Sequence, residues 1–158
     1  MLLTHDLIIQ SNNLFEKEEI RNYRTSNVYL RDLDTLEPFL VRTPPSHEEV
    51  PPLMDNLIKK TNEQLSSGVI LESITKFFAD FLYIHPFTDS NGKTARYLTN
   101  SLLNNFGLNF IQFKQSYEAY ILSLEMVHQN SDYSFLQSYF EGLIHFDQSN
   151  LVIHFKDL

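Results

Sequence analysis

Apolar residues recur at intervals of three and four over most of this chain, which is the spacing of amphipathic α-helices. The longest apolar stretch, VILESITKFFADFLYI, follows Ser66, Ser67 and Gly68. Its apolar residues form a broad face, so we expect a central, largely buried helix that stops before Pro86. The residues of this face are Ile70, Ile74, Phe77, Phe78, Phe81 and Leu82.

Four other segments show helical spacing. One begins near Ser46, whose separation from Glu49 is that of a capping box, and a second begins around Asn91 and ends near Gly107. Apolar positions at helical spacing also occupy residues 117–127 and 135–144. Residues 4–22 are moderately helical, and we expect four of their side chains to be buried, namely Leu7, Ile8, Leu14 and Ile20.

One segment departs from the helical pattern. Residues 28–30 and 39–41 are short β-prone runs joined by an acidic connection, and Pro44 and Pro45 follow them. This arrangement predicts a β-hairpin or extended flap at about residues 27–43. Because no internal repeat or interdomain linker interrupts the pattern, the chain is predicted to be one domain over residues 1–158, all-α apart from this short hairpin.

The charge balance narrows the ligand classes. Twelve Lys and Arg against 20 Asp and Glu give a net charge of −8, which argues against general binding to nucleic acid, because that binding needs many basic contacts. No apolar run reaches the ~18 residues of a membrane span, and the absence of Cys fits a reducing compartment. We therefore expect a soluble, cytoplasmic protein with no membrane partner, and any phosphate ligand must be bound by local contacts.

The candidate chemistry lies in HPFTDSNGKTAR, residues 85–96. Its Gly-Lys-Thr resembles the end of a Walker A loop, but the position that requires the first glycine of that loop is Phe87. The segment before it is also predicted to be a helix, whereas a P-loop follows a strand. These two observations exclude a P-loop and leave a loop between two helices.

Such a loop suits an anionic ligand. Ser90, Asn91 and Gly92 begin a helix, so their N–H groups and the positive end of the helix dipole can hold a phosphate. Lys93 and Arg96 lie within about 60° of each other on a helical wheel and add positive charge.

The front of the loop carries the candidate reactive groups. Asp89 is an oxygen ligand of the kind that Mg²⁺ takes when it also binds a substrate phosphate. His85, held by Pro86 and an inward-pointing Phe87, suits a general base toward an incoming hydroxyl, because the ordinary pKa of histidine is about 6.5.

HPFTDSNGKTAR resembles the signature of the Fic/Doc family, H-P-F-x-[DE]-G-N-G-R-x-x-R. The similarity extends over YRTSNVYL and FLVRTPPSHEEVPPLMDNLI and covers roughly residues 20–145. The resemblance implies a helical protein that transfers AMP from ATP to a protein hydroxyl with Mg²⁺. His85 would be the base, Asp89 the metal ligand, and Asn91 with the neighbouring backbone would hold the α-phosphate. Lys93 and Arg96 would bind the outer phosphates, and the flap would hold the target protein by strand pairing.

The chain departs from the signature at two positions. Ser90 replaces a Gly at a position where the loop needs a positive φ, and Lys93 replaces an Arg, which keeps the charge but loses the planar fork. Family branches with altered loops use other donors, so phosphocholine, phosphate or another nucleotide remain alternatives to AMP. A catalytically impaired module that binds a nucleotide or peptide is a further alternative.

Regulation and assembly remain open at this level. The inhibitory signature of many members, [ST]-x-x-x-E-[GN], is matched poorly by QSYFEG, which begins with Gln137 and contains Glu141. A separate inhibitory partner resembling an antitoxin, a degenerate motif or no inhibitor all remain open, as do the oligomeric state and delivery to another cell.

Overall fold

The computed structural model describes residues 2–28, 43–113 and 117–154, and six α-helices lie within these ranges. In chain order they are α1 (His5–Asn13), α2 (Val50–Ser66), α3 (Ile70–Ile84), α4 (Asn91–Asn105), α5 (Tyr117–Asn130) and α6 (Ser134–His154). The described part of the chain contains no strand, which confirms the all-α class. The predicted hairpin occupies residues 27–43, and residues 29–42 of it lie outside the described ranges.

Helix α3 is the centre of the fold, as its wide apolar face predicts. It packs against α2, α4, α5 and α6, and Phe77, Phe78 and Phe81 are fully buried within it. A helix that is apolar around most of its circumference needs neighbours on several sides, because each exposed apolar face would lose the benefit of burial. Helix α1 packs on α4, and this places it beside the loop that joins α3 to α4.

The predicted positions of α2, α3, α4 and α5 agree closely with the structure. Helix α6 extends to His154, beyond the predicted 135–144, and only residues 5–13 of the moderately helical segment 4–22 form a helix. Ser46 and Glu49 interact as a partial capping box, in which the Glu49 carboxylate accepts hydrogen bonds from the N–H and hydroxyl of Ser46, but α2 begins only at Val50. The expected burial of Leu14 is wrong. Leu14 keeps a helical backbone with φ −63° and ψ −18°, and the six residues that separate it from buried Ile8 turn its side chain about 120° away, so it is 62% exposed. Ile8 is buried as expected, whereas Leu7 and Ile20 are half-buried.

None of the helices in the described ranges combines the length and the apolar character that crossing a bilayer requires.

Candidate active site

The loop between α3 and α4 begins and ends in a left-handed backbone conformation. His85 has φ 53° and ψ 60°, and Ser90 has φ 58° and ψ 15°. A non-glycine residue in this region costs about 1–3 kcal/mol, so surrounding contacts must hold the loop in place. The sequence argument that Ser90 occupies a position needing a positive φ is therefore confirmed.

Asn91 closes the loop from inside. Its side-chain amide donates to the Phe87 carbonyl over 2.8 Å, and its oxygen accepts the Phe87 N–H over 2.9 Å. The Phe87 ring points into the core, where it is 1% exposed and packs against the rings of Tyr23 and Phe81. These contacts confirm the inward orientation expected for Phe87 and fix the loop between its two left-handed ends.

Helix α1 supports the same loop through Asn12, which is fully buried. The Asn12 amide donates to the Asp89 carbonyl over 3.2 Å and to the Thr94 hydroxyl over 2.9 Å. Thr94 in turn donates to the Ser90 carbonyl. The beginning of α4 is therefore fastened to α1 by a buried polar chain.

Arg24 supports the other end of the loop. Its Nε donates to the His85 carbonyl over 2.9 Å, and its backbone N–H donates to the Pro86 carbonyl over 2.9 Å. The side chain is buried, and this burial lowers the pKa of the guanidinium from its ordinary value. A cation therefore lies beneath the backbone of the candidate base.

The surface of the loop presents polar and basic groups. The side chain of Ser90, the N-cap residue of α4, makes no capping hydrogen bond, and the Ser90 N–H donates to Asp89 Oδ1 over 2.6 Å. The Lys93 side chain is exposed, while Arg96 lies close above Gly92, where an added Cβ would be 3.3 Å from the guanidinium nitrogen. The absence of a side chain at Gly92 therefore lets a cation approach the first turn of α4.

Two open hollows flank these cations. One is lined by Asp89, Ser90 and Lys93 together with residues 15–22, and the other by Lys93, Arg96 and aromatic side chains. Among the latter, the Phe15 and Tyr97 rings meet edge to face with centroids 6.2 Å apart. The two hollows together present charged and aromatic surfaces, which suit an elongated ligand with a charged part and a flat apolar part.

All seven predicted site residues lie on this loop or in the first two turns of α4, namely His85, Asp89, Ser90, Asn91, Gly92, Lys93 and Arg96. Sequence reasoning missed Asn12 and Arg24, which come from distant parts of the chain. The only signal for Arg24 is its place in YRTSNVYL, and no pattern distinguishes Asn12 from the polar residues around it. Glu141, the weak inhibitor candidate, accepts a hydrogen bond from Gln137 within α6.

The described residues contain no group of three or more His, Asp or Glu side chains that could hold a metal by themselves. This does not conflict with Mg²⁺, which is commonly held by one or two carboxylates together with substrate phosphates. Asp89 is exposed, and only its Oδ1 accepts the Ser90 N–H, so its second oxygen suits such a site.

The fold and the loop define a helical domain in which a short loop joins a histidine at the end of one helix to the N-terminus of the next. The model of the Fic/DOC family matches residues 2–103. The chain therefore belongs to the Fic/DOC family.

A curated relative, the protein adenylyltransferase Fic of Nematostella vectensis, is 32% identical over 108 residues, which are 65% of this chain and 22% of the relative. The chain thus spans less than a quarter of the length of that protein.

Solved structures show the same fold. A Fic domain containing signaling protein from Bacteroides thetaiotaomicron has a TM-score of 0.75 at 21% identity, covering 90% of this chain and 60% of its own. A Fic family protein from Desulfovibrio desulfuricans has a TM-score of 0.75 at 20% identity, and the match covers 96% of this chain and 47% of that protein. The BepC protein of Bartonella tribocorum, solved with bound AMPPNP, has a TM-score of 0.59 at 15% identity. This match covers 77% of this chain and 63% of that protein.

Proposed function

We propose that this protein is an adenylyltransferase that moves AMP from ATP to a Tyr, Ser or Thr hydroxyl of a target protein. The observation that carries the proposal is the placement of His85 one short loop before the N-terminus of α4, with Lys93 and Arg96 on that helix. Membership in the Fic/DOC family and the relative named as a protein adenylyltransferase support it.

The chemistry follows from the residue types. The His85 imidazole takes the proton of the target hydroxyl while the hydroxyl oxygen attacks the α-phosphorus of ATP. A bond forms between that oxygen and phosphorus, the bond to the bridging oxygen breaks, and pyrophosphate leaves with the electron pair. The N–H groups of the first turn of α4 stabilise the charge on the α-phosphate, because they are already oriented at the positive end of the helix dipole.

The outer phosphates are assigned to Lys93 and Arg96. Mg²⁺, bound to Asp89 and the phosphates, would neutralise charge on the departing pyrophosphate. The Arg96 guanidinium lies next to Gly92 at the first turn of α4, whereas Lys93 is exposed and supplies charge at the surface.

The backbone at Ser90 shows that the serine does not alter the loop of the signature. Ser90 already adopts the left-handed conformation that a glycine would take, so this departure from the signature keeps the conformation of the loop. The flap at residues 27–43 is proposed to hold the target protein by strand pairing, which constrains the target backbone more than its sequence.

Incubation with α-labelled ATP, Mg²⁺ and host-cell lysate tests the proposal. The parent should label protein, and His85→Ala should abolish the labelling while binding of ATP and Mg²⁺ by calorimetry persists. His128→Ala is a matched control, because this histidine lies on α5 and its ring contacts the Ala79 carbonyl. Equal labelling by His85→Ala and the parent would contradict the assignment.

Mass spectrometry of the labelled product distinguishes the donors. An added AMP supports the proposal, whereas an added phosphate or phosphocholine assigns the alternative transfer reactions. Binding of ATP without transfer in any lysate would indicate the impaired module.

A further inference from the structure

Arg24 forms an unusual set of contacts for a buried arginine. It is 6% exposed, and every hydrogen bond of its guanidinium within the described residues ends on a main-chain carbonyl oxygen. Buried charges are generally paired with an opposite charge, because removal from water is costly. The position of this cation therefore depends on several oriented carbonyl dipoles rather than on one carboxylate.

These carbonyls come from separate parts of the chain. Arg24 Nη1 donates to Ser26 over 3.0 Å, just before the flap, and Nη2 donates to Pro45 over 2.5 Å, just after it. The same side chain reaches the end of α3, where it donates to His85 over 2.9 Å and lies 3.5 Å from the Ile84 carbonyl. One residue thus joins the described backbone on both sides of the predicted flap to the backbone of the candidate base.

The end of α3 explains why a cation suits this position. The last carbonyls of a helix have no partner within the helix, and the negative end of the dipole attracts positive charge. Pro86 has no N–H, so the backbone immediately after His85 lacks one of its donors. Arg24 provides several donors in one plane from outside the helix, which a lysine ammonium cannot match.

We propose that Arg24 is a positioning residue for the transfer reaction, acting through main-chain carbonyls to hold His85 and the two ends of the flap in one arrangement. This inference rests on the proposed function, because the purpose of the arrangement is to bring the base and the flap-bound target together. Arg24 contacts neither Asp89 nor the first turn of α4 in the hydrogen bonds above, so we expect its substitution to leave nucleotide binding unchanged.

The test compares Arg24→Met, which keeps an unbranched stem but no donors, with Arg24→Lys, which keeps the charge. At saturating ATP, Arg24→Met should slow transfer to lysate protein by about a hundredfold, the loss expected from a misplacement of about 1 Å. The apparent KM for ATP and the calorimetric affinity for ATP with Mg²⁺ should remain at parent values. Arg24→Lys should restore only part of the rate.

The second measurement is the NMR resonance of the His85 ring and its titration with pH. A general loss of stability would not change this resonance in the folded protein. Arg24→Met should shift this resonance, which is assigned by its loss in His85→Ala. Leu65→Ala is the control for lost stability, because Leu65 is buried near the end of α2 and makes none of these contacts. It should lower the unfolding midpoint without shifting the His85 resonance.

Two results would overturn the inference: a parent-like His85 resonance in Arg24→Met, or a transfer rate reduced no more than in Leu65→Ala at matched stability. If the parent protein transfers no AMP, the proposed function is wrong, but this result does not contradict the inference about Arg24. The resonance of His85 then still tests whether Arg24 positions the histidine.

Discussion

Asn91 uses both polar atoms of its side chain on the backbone of one residue, Phe87, with hydrogen bonds of 2.8 and 2.9 Å. The resemblance to the family implies that Asn91 helps to hold the α-phosphate. In this structure the side chain closes the loop, so the part of Asn91 that remains suited to a phosphate is its backbone N–H at the start of α4.

Asn91→Ala should destabilise the protein and the loop together. It leaves the N–H and the carbonyl of buried Phe87 without these partners, and each such loss costs about 1–3 kcal/mol. The free energy of unfolding from urea titration should therefore fall by about 2–6 kcal/mol. Asn62→Ala is the control, since Asn62 bridges the N–H and carbonyl of Leu3 in the same way away from the loop. Transfer by folded protein should fall only in Asn91→Ala.

Ser90→Gly should stabilise the protein. A left-handed conformation costs an L-residue about 1–2 kcal/mol, whereas the greater flexibility of unfolded glycine offsets about 0.5–1 kcal/mol of that gain. The net increase in unfolding free energy should be about 0.5–1 kcal/mol by urea titration, with transfer retained.

Ser131→Gly is the matched comparison for Ser90→Gly, because Ser131 has φ 55° between α5 and α6. Ser131→Gly should raise the free energy of unfolding by a similar amount. A loss of stability in Ser90→Gly alone would mean that the serine side chain supports the loop.

Gly92→Ala should weaken nucleotide binding without lowering the stability of the protein. Its Cβ would lie 3.3 Å from the Arg96 guanidinium, so the arginine would have to shift by a few tenths of an ångström, while alanine favours the helix. We expect an unchanged or slightly higher unfolding midpoint and a higher apparent KM for ATP. In α6, Gly142→Ala has open space around the new Cβ, so it should gain about 1 kcal/mol without changing KM. An unchanged KM for ATP in Gly92→Ala would contradict the assignment of Arg96 to the phosphate site.

Asp80 should make stability depend on pH. Burial raises the pKa of this carboxyl, although a hydrogen bond of 2.6 Å from Tyr133 and the nearby Lys60 and Lys76 oppose the increase. A raised pKa means that the folded state binds the proton more tightly than the unfolded state. The ionised carboxylate therefore disfavours folding above the folded pKa, and the penalty disappears as the pH falls below the ordinary aspartate value of about 3.9.

Asp80→Asn tests this dependence because the amide oxygen can still accept the Tyr133 hydroxyl. The variant should be more stable than the parent at pH 7, and the difference in urea midpoint should shrink toward pH 4. A constant difference across that range would contradict the direction of the shift.

Local features of the site were predictable from the sequence. Helix spacing and Pro86 locate the end of α3, and the order His85, Asp89, Asn91 and Arg96 places the candidate chemistry on one short loop. These features depend on neighbours within a few residues, so periodicity, a proline and helix propensity are enough to define them. Leu14 shows the limit of such reasoning, because its exposure depends on which side of α1 packs against α4.

The sequence by itself determined the helical class, the position of α3 at the core and the residues of the reactive loop. Only the tertiary structure decided how that loop is held. Asn12 and Arg24 lie far from the loop in the chain, and their hydrogen bonds to Asp89, Thr94 and His85 exist because packing brings these groups together. A buried polar side chain has no periodic signature, since its role depends on which unsatisfied backbone groups the fold places beside it.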